Sequence, residues 1–201
     1  MKNRSFDLIV YGATSFVGQI LTRYLFEHIG VGGKVNWAIA GRSEKKLSVL
    51  KSSLGSNADS LSVIVADASD EVALTTMCQS ARVIASTVGP YALYGEPLVK
   101  ACAENGTDYC DLCGEAYWIK AMILKYSDAA KASGARIVSC CGFDSIPSDL
   151  GVHFLQRQGK QRFGKYFDNI KLAVNTMKGG ASGGTLASMI EAVKAAKSDP
   201  K

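Results

Sequence analysis

The residues with the greatest chemical capacity fall in three short stretches of small side chains. The first is Gly12-Ala13-Thr14-Ser15-Phe16-Val17-Gly18. Gly12 lets the chain reverse sharply, and the amides that follow point, with a helix dipole behind them, at any anion above the helix end. A pyrophosphate fits that geometry. Gly18 lies one turn into the helix, where a missing side chain lets helix and strand pack closely. Ser15 stands where a G-x-x-G-x-x-G spacing has its middle glycine; it is small and carries a hydroxyl that can reach a phosphate. Glycine turns after strands also occur in sheets that bind nothing, so the neighbouring stretches decide the reading.

The second stretch, Ala40-Gly41-Arg42, ends another apolar run, with Arg42 placed 24 residues beyond Gly18. A chain that grips a ribose 2′-hydroxyl tends to carry an acid about there. A guanidinium instead suits a 2′-phosphate, so the expected cofactor is NADP(H). The plainer alternative is a surface arginine that opens a helix. Asp67, after the third apolar run, either touches an adenine amino group or caps the helix that starts near Asp70.

The third stretch is Ser86-Thr87-Val88-Gly89-Pro90-Tyr91. Its small residues can bring backbone amides close to the nicotinamide half of a dinucleotide, and Tyr91 either meets that ring or substrate, or packs the loop. Asp111 and Glu115 bracket the end of a later strand, where two carboxylates can serve as acid, base or orienting groups. Glu115 also suits a plain helix start. Tyr91, Asp111 and Glu115 are therefore the candidate catalytic residues, and Asp144, Lys178 and Thr185 the candidate substrate contacts. His28 and His153 lie on helical patterns and read as structural. Cys110 with Cys113, and the adjacent Cys140 and Cys141, have awkward spacing for a tetrahedral metal, so no metal is expected.

Strand and helix patterns alternate to position these groups. Apolar runs at residues 6–11, 35–40, 61–66, 81–86, 107–112 and 135–139 read as strands. Helical periodicity follows most of them, with Val17, Ile20, Leu21, Tyr24 and Leu25 recurring at helical spacing after the first. Helices are also expected over 44–54, 96–105 and 116–132. Ser145, Ser148 and Asp149 supply caps, with Pro147 in the first turn of a further helix that finishes at Gln158. The fold class is α/β, a doubly wound parallel sheet of the Rossmann type.

At 201 residues with 47% hydrophobic content the chain can bury a substantial core, and a net charge of +5 with scattered cations lacks the dense basic stripe of a nucleic-acid reader. No stretch reads as a signal peptide or a membrane span, and six cysteines without a leader read as thiols in a reducing, cytoplasmic compartment.

The segments Gly12 to Gly18, Ala40-Gly41-Arg42, Val88-Gly89-Pro90-Tyr91 with Gly95, Tyr109-Cys110-Asp111-Leu112-Cys113-Gly114-Glu115, and Gly142-Phe143-Asp144-Ser145-Ile146-Pro147-Ser148-Asp149 together resemble the saccharopine dehydrogenase-like oxidoreductases, a family that includes the mycobacterial trans-acting enoyl reductases. The resemblance implies an NADP(H)-binding Rossmann domain, here residues 1–150, followed by a substrate domain of α+β type, of which residues 151–201 would be the beginning in a truncated chain. A strand is expected over 169–177, then a glycine turn at 178–185 able to take an anionic group, then a helix over 186–197.

Two functions remain open at this point. One is hydride transfer between NADP(H) and a small or lipid-linked substrate; the other is NADP(H) binding without turnover by a sensor or interaction protein. A homo-oligomer is compatible with either.

Overall fold

The computed structural model describes residues 4–176, 178–180 and 183–198. Six parallel strands form one sheet in the order β3-β2-β1-β4-β5-β6: β1 (Phe6–Tyr11), β2 (Trp37–Gly41), β3 (Ser62–Val65), β4 (Ala81–Ser86), β5 (Asp108–Asp111) and β6 (Ile137–Val138). The order reverses at β1, which pairs Val10 with Ile39 of β2 on one side and Tyr11 with Ser86 of β4 on the other. Parallel strands need crossovers, and these are supplied by α1 (Phe16–His28), α2 (Glu44–Ser52), α3 (Glu71–Ser80), α4 (Tyr91–Tyr94), α5 (Glu96–Asn105) and α6 (Ala116–Ser133). Two more helices follow, α7 (Ile146–Phe163) and α8 (Gly183–Ser198).

Alternation along β1 divides the core into two layers. Ile9 and Tyr11 face a cluster with Leu74, Met77, Ile84, Leu98 and Trp118, which gathers α3, α5 and α6. Val10 faces the other side with Leu25, Trp37, Ile39, Leu47 and Leu50, which gathers α1 and α2. Each such fully buried side chain contributes about 1.5–3 kcal/mol. Arg4 ties the amino-terminal edge of the sheet together: its guanidinium donates to the Cys78 carbonyl, to Thr107 Oγ1 at 2.8 Å and to the Asn105 carbonyl at 2.8 Å.

Several expectations need correction. The inner face of α1 is Gly18, Thr22 and Leu25, while Ile20 and Tyr24 are more than half exposed. The helical spacing is present, and two of its five apolar members face solvent. The helix expected to finish at Gln158 runs on to Phe163, where Gly164 adopts a left-handed conformation and its amide bonds to the Lys160 carbonyl at 3.1 Å. Gln156 then holds the returning chain, accepting the Phe167 amide at 2.8 Å and donating to its carbonyl at 2.9 Å. The Ser145 side chain makes no capping bond to α7. No strand forms over 169–176; an apolar run becomes a strand only where a sheet edge takes its amides and carbonyls. Met177, Ala181, Ser182 and residues 199–201 belong to the expected strand, turn and chain end, but lie outside the described residues, as do residues 1–3. The helix expected over 186–197 begins earlier, at Gly183. Among the described residues, no helix is long and apolar enough to cross a membrane.

Candidate dinucleotide crevice

The crevice lies at the carboxyl ends of β1 and β4, where the strand order reverses. Gly12 leaves β1 with φ 83°, and the Gly12 and Ala13 amides bond to the Ala40 carbonyl at 2.9 and 3.1 Å. Ser15 caps α1, its Oγ accepting the Gly18 amide at 2.9 Å. Among the described residues the amides of Thr14, Phe16 and Val17 take no protein acceptor. Donors left open around a helix start suit phosphoryl oxygens. Both glycines are sterically required: a Cβ on Gly12 would lie 2.6 Å from Val88 Cγ2, and one on Gly18 would press on the Gly12 carbonyl and lie 2.8 Å from Ala13 Cα.

The loop after β4 closes the other wall. Thr87 Oγ1 donates to the Gly12 carbonyl at 2.9 Å and meets Ser15 Oγ at 3.0 Å. Val88 bonds through its amide to Ser86 Oγ at 3.4 Å, and the Gly89–Pro90 peptide is cis. Arg42 is exposed at the end of β2. Its charge reaches Asp67, at the end of β3, and Tyr11. Asp67 accepts the Ser69 amide and hydroxyl at 2.9 and 2.7 Å, and chiefly that amide holds its carboxyl below the usual range. The helix cap is Asp70 instead, whose Oδ1 accepts the Val72 and Ala73 amides at 3.1 and 2.9 Å. Asp67 stands at the strand exit, too early in the chain to reach those amides.

The candidate catalytic residues form one buried network. Tyr91 donates its hydroxyl to the Ser86 carbonyl at 3.1 Å, and its ring lies 5.7 Å from that of Trp118. Burial pushes its hydroxyl pKa upward, and Asp111 adds to the shift. Asp111 accepts from Tyr109 Oη at 2.8 Å, the Cys113 amide at 3.0 Å and the Cys140 amide at 3.1 Å. Desolvation nonetheless raises its carboxyl pKa. Glu115 takes the Tyr91 and Ala92 amides at 3.0 and 2.8 Å and the Ser188 hydroxyl at 2.8 Å. Burial pushes the Cys110 thiol up to about 11 and the Cys113 thiol up to about 12, so both stay protonated near neutral pH.

Of the candidate substrate contacts, Asp144 is exposed in the turn before α7, Lys178 is exposed after residue 176, and Thr185 sits exposed in the first turn of α8. No ion pair joins Asp144 or Lys178 to another described residue. Sequence reading gave no role to the hydroxyls of Tyr109, Ser139 and Ser188, which fill the two carboxylates; only Tyr109, two residues before Asp111 on β5, has a local spacing that marks it. A separate cleft of about 270 Å³, lined by Val99, Met122, Tyr126 and Ile137 among others, shares no residue with the crevice loops.

A doubly wound sheet with a glycine turn and open amides at its switch point defines a dinucleotide-binding domain. The chain belongs to the saccharopine dehydrogenase NADP-binding domain family, whose model matches residues 8–138. It is 42% identical over 199 residues to a trans-acting enoyl reductase of Mycobacterium tuberculosis and equally so to one of Mycobacterium ulcerans. Those matches cover 98% of this chain and 47% of each relative, so the chain spans about half their length. Among solved structures, apo saccharopine dehydrogenase (L-Glu forming) from Saccharomyces cerevisiae superposes with a TM-score of 0.54 at 17% identity, over 77% of this chain and 32% of that one, a likeness of fold.

Proposed function

We propose that this chain is the cofactor-binding half of an NADP(H)-dependent oxidoreductase. The observation that carries the reading is the set of open amides at Thr14, Phe16 and Val17 with Arg42 exposed at the neighbouring strand end. The amides and the dipole of α1 hold the pyrophosphate across Gly12 to Gly18, and Arg42 pairs with the 2′-phosphate beside Asp67, which sits nearest the adenosine. Ser86, Thr87, Val88, Gly89 and Pro90 line the nicotinamide side. Bound there, NADPH supplies a hydride to an acceptor carbon. The chain's own part is to fix the geometry and keep water from the reacting face.

The name of the enoyl reductase relatives supports a substrate with a polarised double bond; in the reading proposed here that substrate is small or lipid-linked. Residues 1–150 form the cofactor half in this reading, residues 151–201 begin the substrate half, and Asp144, Lys178 and Thr185 are its candidate substrate contacts. Titration with NADPH and NADH, followed by cofactor fluorescence, tests the reading; equal or absent binding of the two sinks it. A second reading, cofactor binding without turnover, draws support from Tyr91, Asp111 and Glu115, whose polar atoms are already engaged within the protein. Loss of NADPH absorbance with enoyl, imine and keto substrates, in the full-length protein, separates the two.

A further inference from the structure

Glu115 carries a buried carboxylate, 5% exposed, with no lysine, arginine or histidine in ion-pair range among the described residues. A charge so placed must be met by hydrogen bonds. Its two oxygens receive the Tyr91 amide at 3.0 Å, the Ala92 amide at 2.8 Å and the Ser188 hydroxyl at 2.8 Å, with Tyr117 Oη at 3.5 Å. Two of these donors come from the residues directly after Gly89–Pro90. The loop of residues 86–91 is thus fastened at both ends, by Thr87 to the Gly12 carbonyl at 2.9 Å and by Glu115 to the Tyr91 and Ala92 amides. Val88, Gly89 and Pro90 lie between the fastenings. The third donor, Ser188, belongs to α8, so the same carboxylate also seats the last helix against this loop.

We infer that Glu115 is a positioning residue: its carboxylate clamps the amides of Tyr91 and Ala92, and thereby sets the loop of residues 86–91 where the nicotinamide end of the cofactor must lie. The inference rests on the reading of the crevice given above. Glu115 acts through the loop and does not exchange protons with substrate.

Because the clamp acts at one end of the cofactor, it separates two ligands. NADPH fills both halves of the crevice, whereas 2′,5′-ADP fills only the adenosine half near Arg42. The wild-type chain, Glu115→Ala and Glu115→Gln are each titrated with both, and thermal melts verify that each is folded. Glu115→Ala is expected to weaken NADPH about tenfold, consistent with losing bonds to a charged acceptor. Glu115→Gln keeps the shape and one acceptor oxygen, so a loss of about threefold is expected, and this variant carries the test where alanine does not fold. Binding of 2′,5′-ADP should stay within about twofold of wild type in both. Parallel loss of both ligands would indicate a general effect on the fold and overturn the inference, as would NADPH binding unchanged in both variants. Failure of the wild-type chain to bind NADPH would instead bring down the crevice reading itself.

Discussion

Ser15 and Thr87 meet hydroxyl to hydroxyl at 3.0 Å, joining the cap of α1 to the loop after β4 across the point where the strand order reverses. Thr87 also reaches the Gly12 and Tyr11 carbonyls at 2.9 and 3.2 Å. The Thr87 side chain thus ties the two walls of the crevice together, beside the Thr87 amide that donates to the Tyr11 carbonyl at 2.9 Å. Thr87→Val, which keeps the shape and deletes the hydroxyl, should cost about 1–2 kcal/mol in chemical denaturation and weaken NADPH several-fold by titration. Unchanged stability would mean that the hydroxyl does not join the walls.

In the proposed reading, Arg42 sets the choice between the phosphorylated and plain cofactor. Arg42→Ala should raise the NADPH dissociation constant about 10- to 100-fold, or about 1.4–2.8 kcal/mol, while leaving NADH within about twofold. Isothermal titration with both cofactors measures the difference. A parallel fall in both affinities would count against contact with a 2′-phosphate.

Gly18 meets backbone, which cannot swing aside as a flexible side chain does. Gly18→Ala drives its Cβ toward the Gly12 carbonyl and Ala13 Cα, so it should destabilise by about 1–3 kcal/mol and lower NADPH affinity at least about tenfold. Gly114→Ala is the control, since a Cβ there meets nothing within 4 Å, and its melt should match wild type. Equal melts for all three proteins would refute the close approach of α1 to the turn.

The pH dependence of stability should report Asp108. Arg136 holds its carboxyl below the usual range, first through their side-chain hydrogen bond, and the Arg136 amide adds a bond at 2.8 Å. A carboxyl depressed on folding contributes stability that is complete above its unfolded value and fades as pH falls through the folded one. The melting-temperature difference between wild type and Asp108→Asn should therefore be largest at neutral pH and shrink below about pH 4. A difference independent of pH would contradict the pairing.

Much of the fold is legible in the sequence because it is written in local terms. Buried parallel strands read as continuous apolar runs, and β1 and β4 fall where those runs lie. Gly12 and Gly18 announce the turn because a Cβ at either would clash with its neighbours, and Ser15 announces the cap of α1. The errors come where local pattern lacks its partner. The alternation over residues 169–176 has the composition of a strand, yet a strand exists only if another edge takes its hydrogen bonds. Ile20 and Tyr24 have helical spacing, but the rotation of α1 on the sheet turns Thr22 inward in their place.

By itself the sequence determined the order of strands and helices, the glycine turn and the arginine beyond the second strand, because backbone sterics and apolar periodicity act between near neighbours. Tertiary structure alone decided the partners of the polar groups. Arg4 lies about a hundred positions from the Asn105 and Gly106 carbonyls it holds, Asp111 takes the Cys140 amide and the Ser139 hydroxyl from nearly thirty residues on, and Ser188 closes on Glu115 from 73 residues away. Such pairings follow from which strand ends the sheet brings together, and a buried charge accepts whatever donors that assembly delivers.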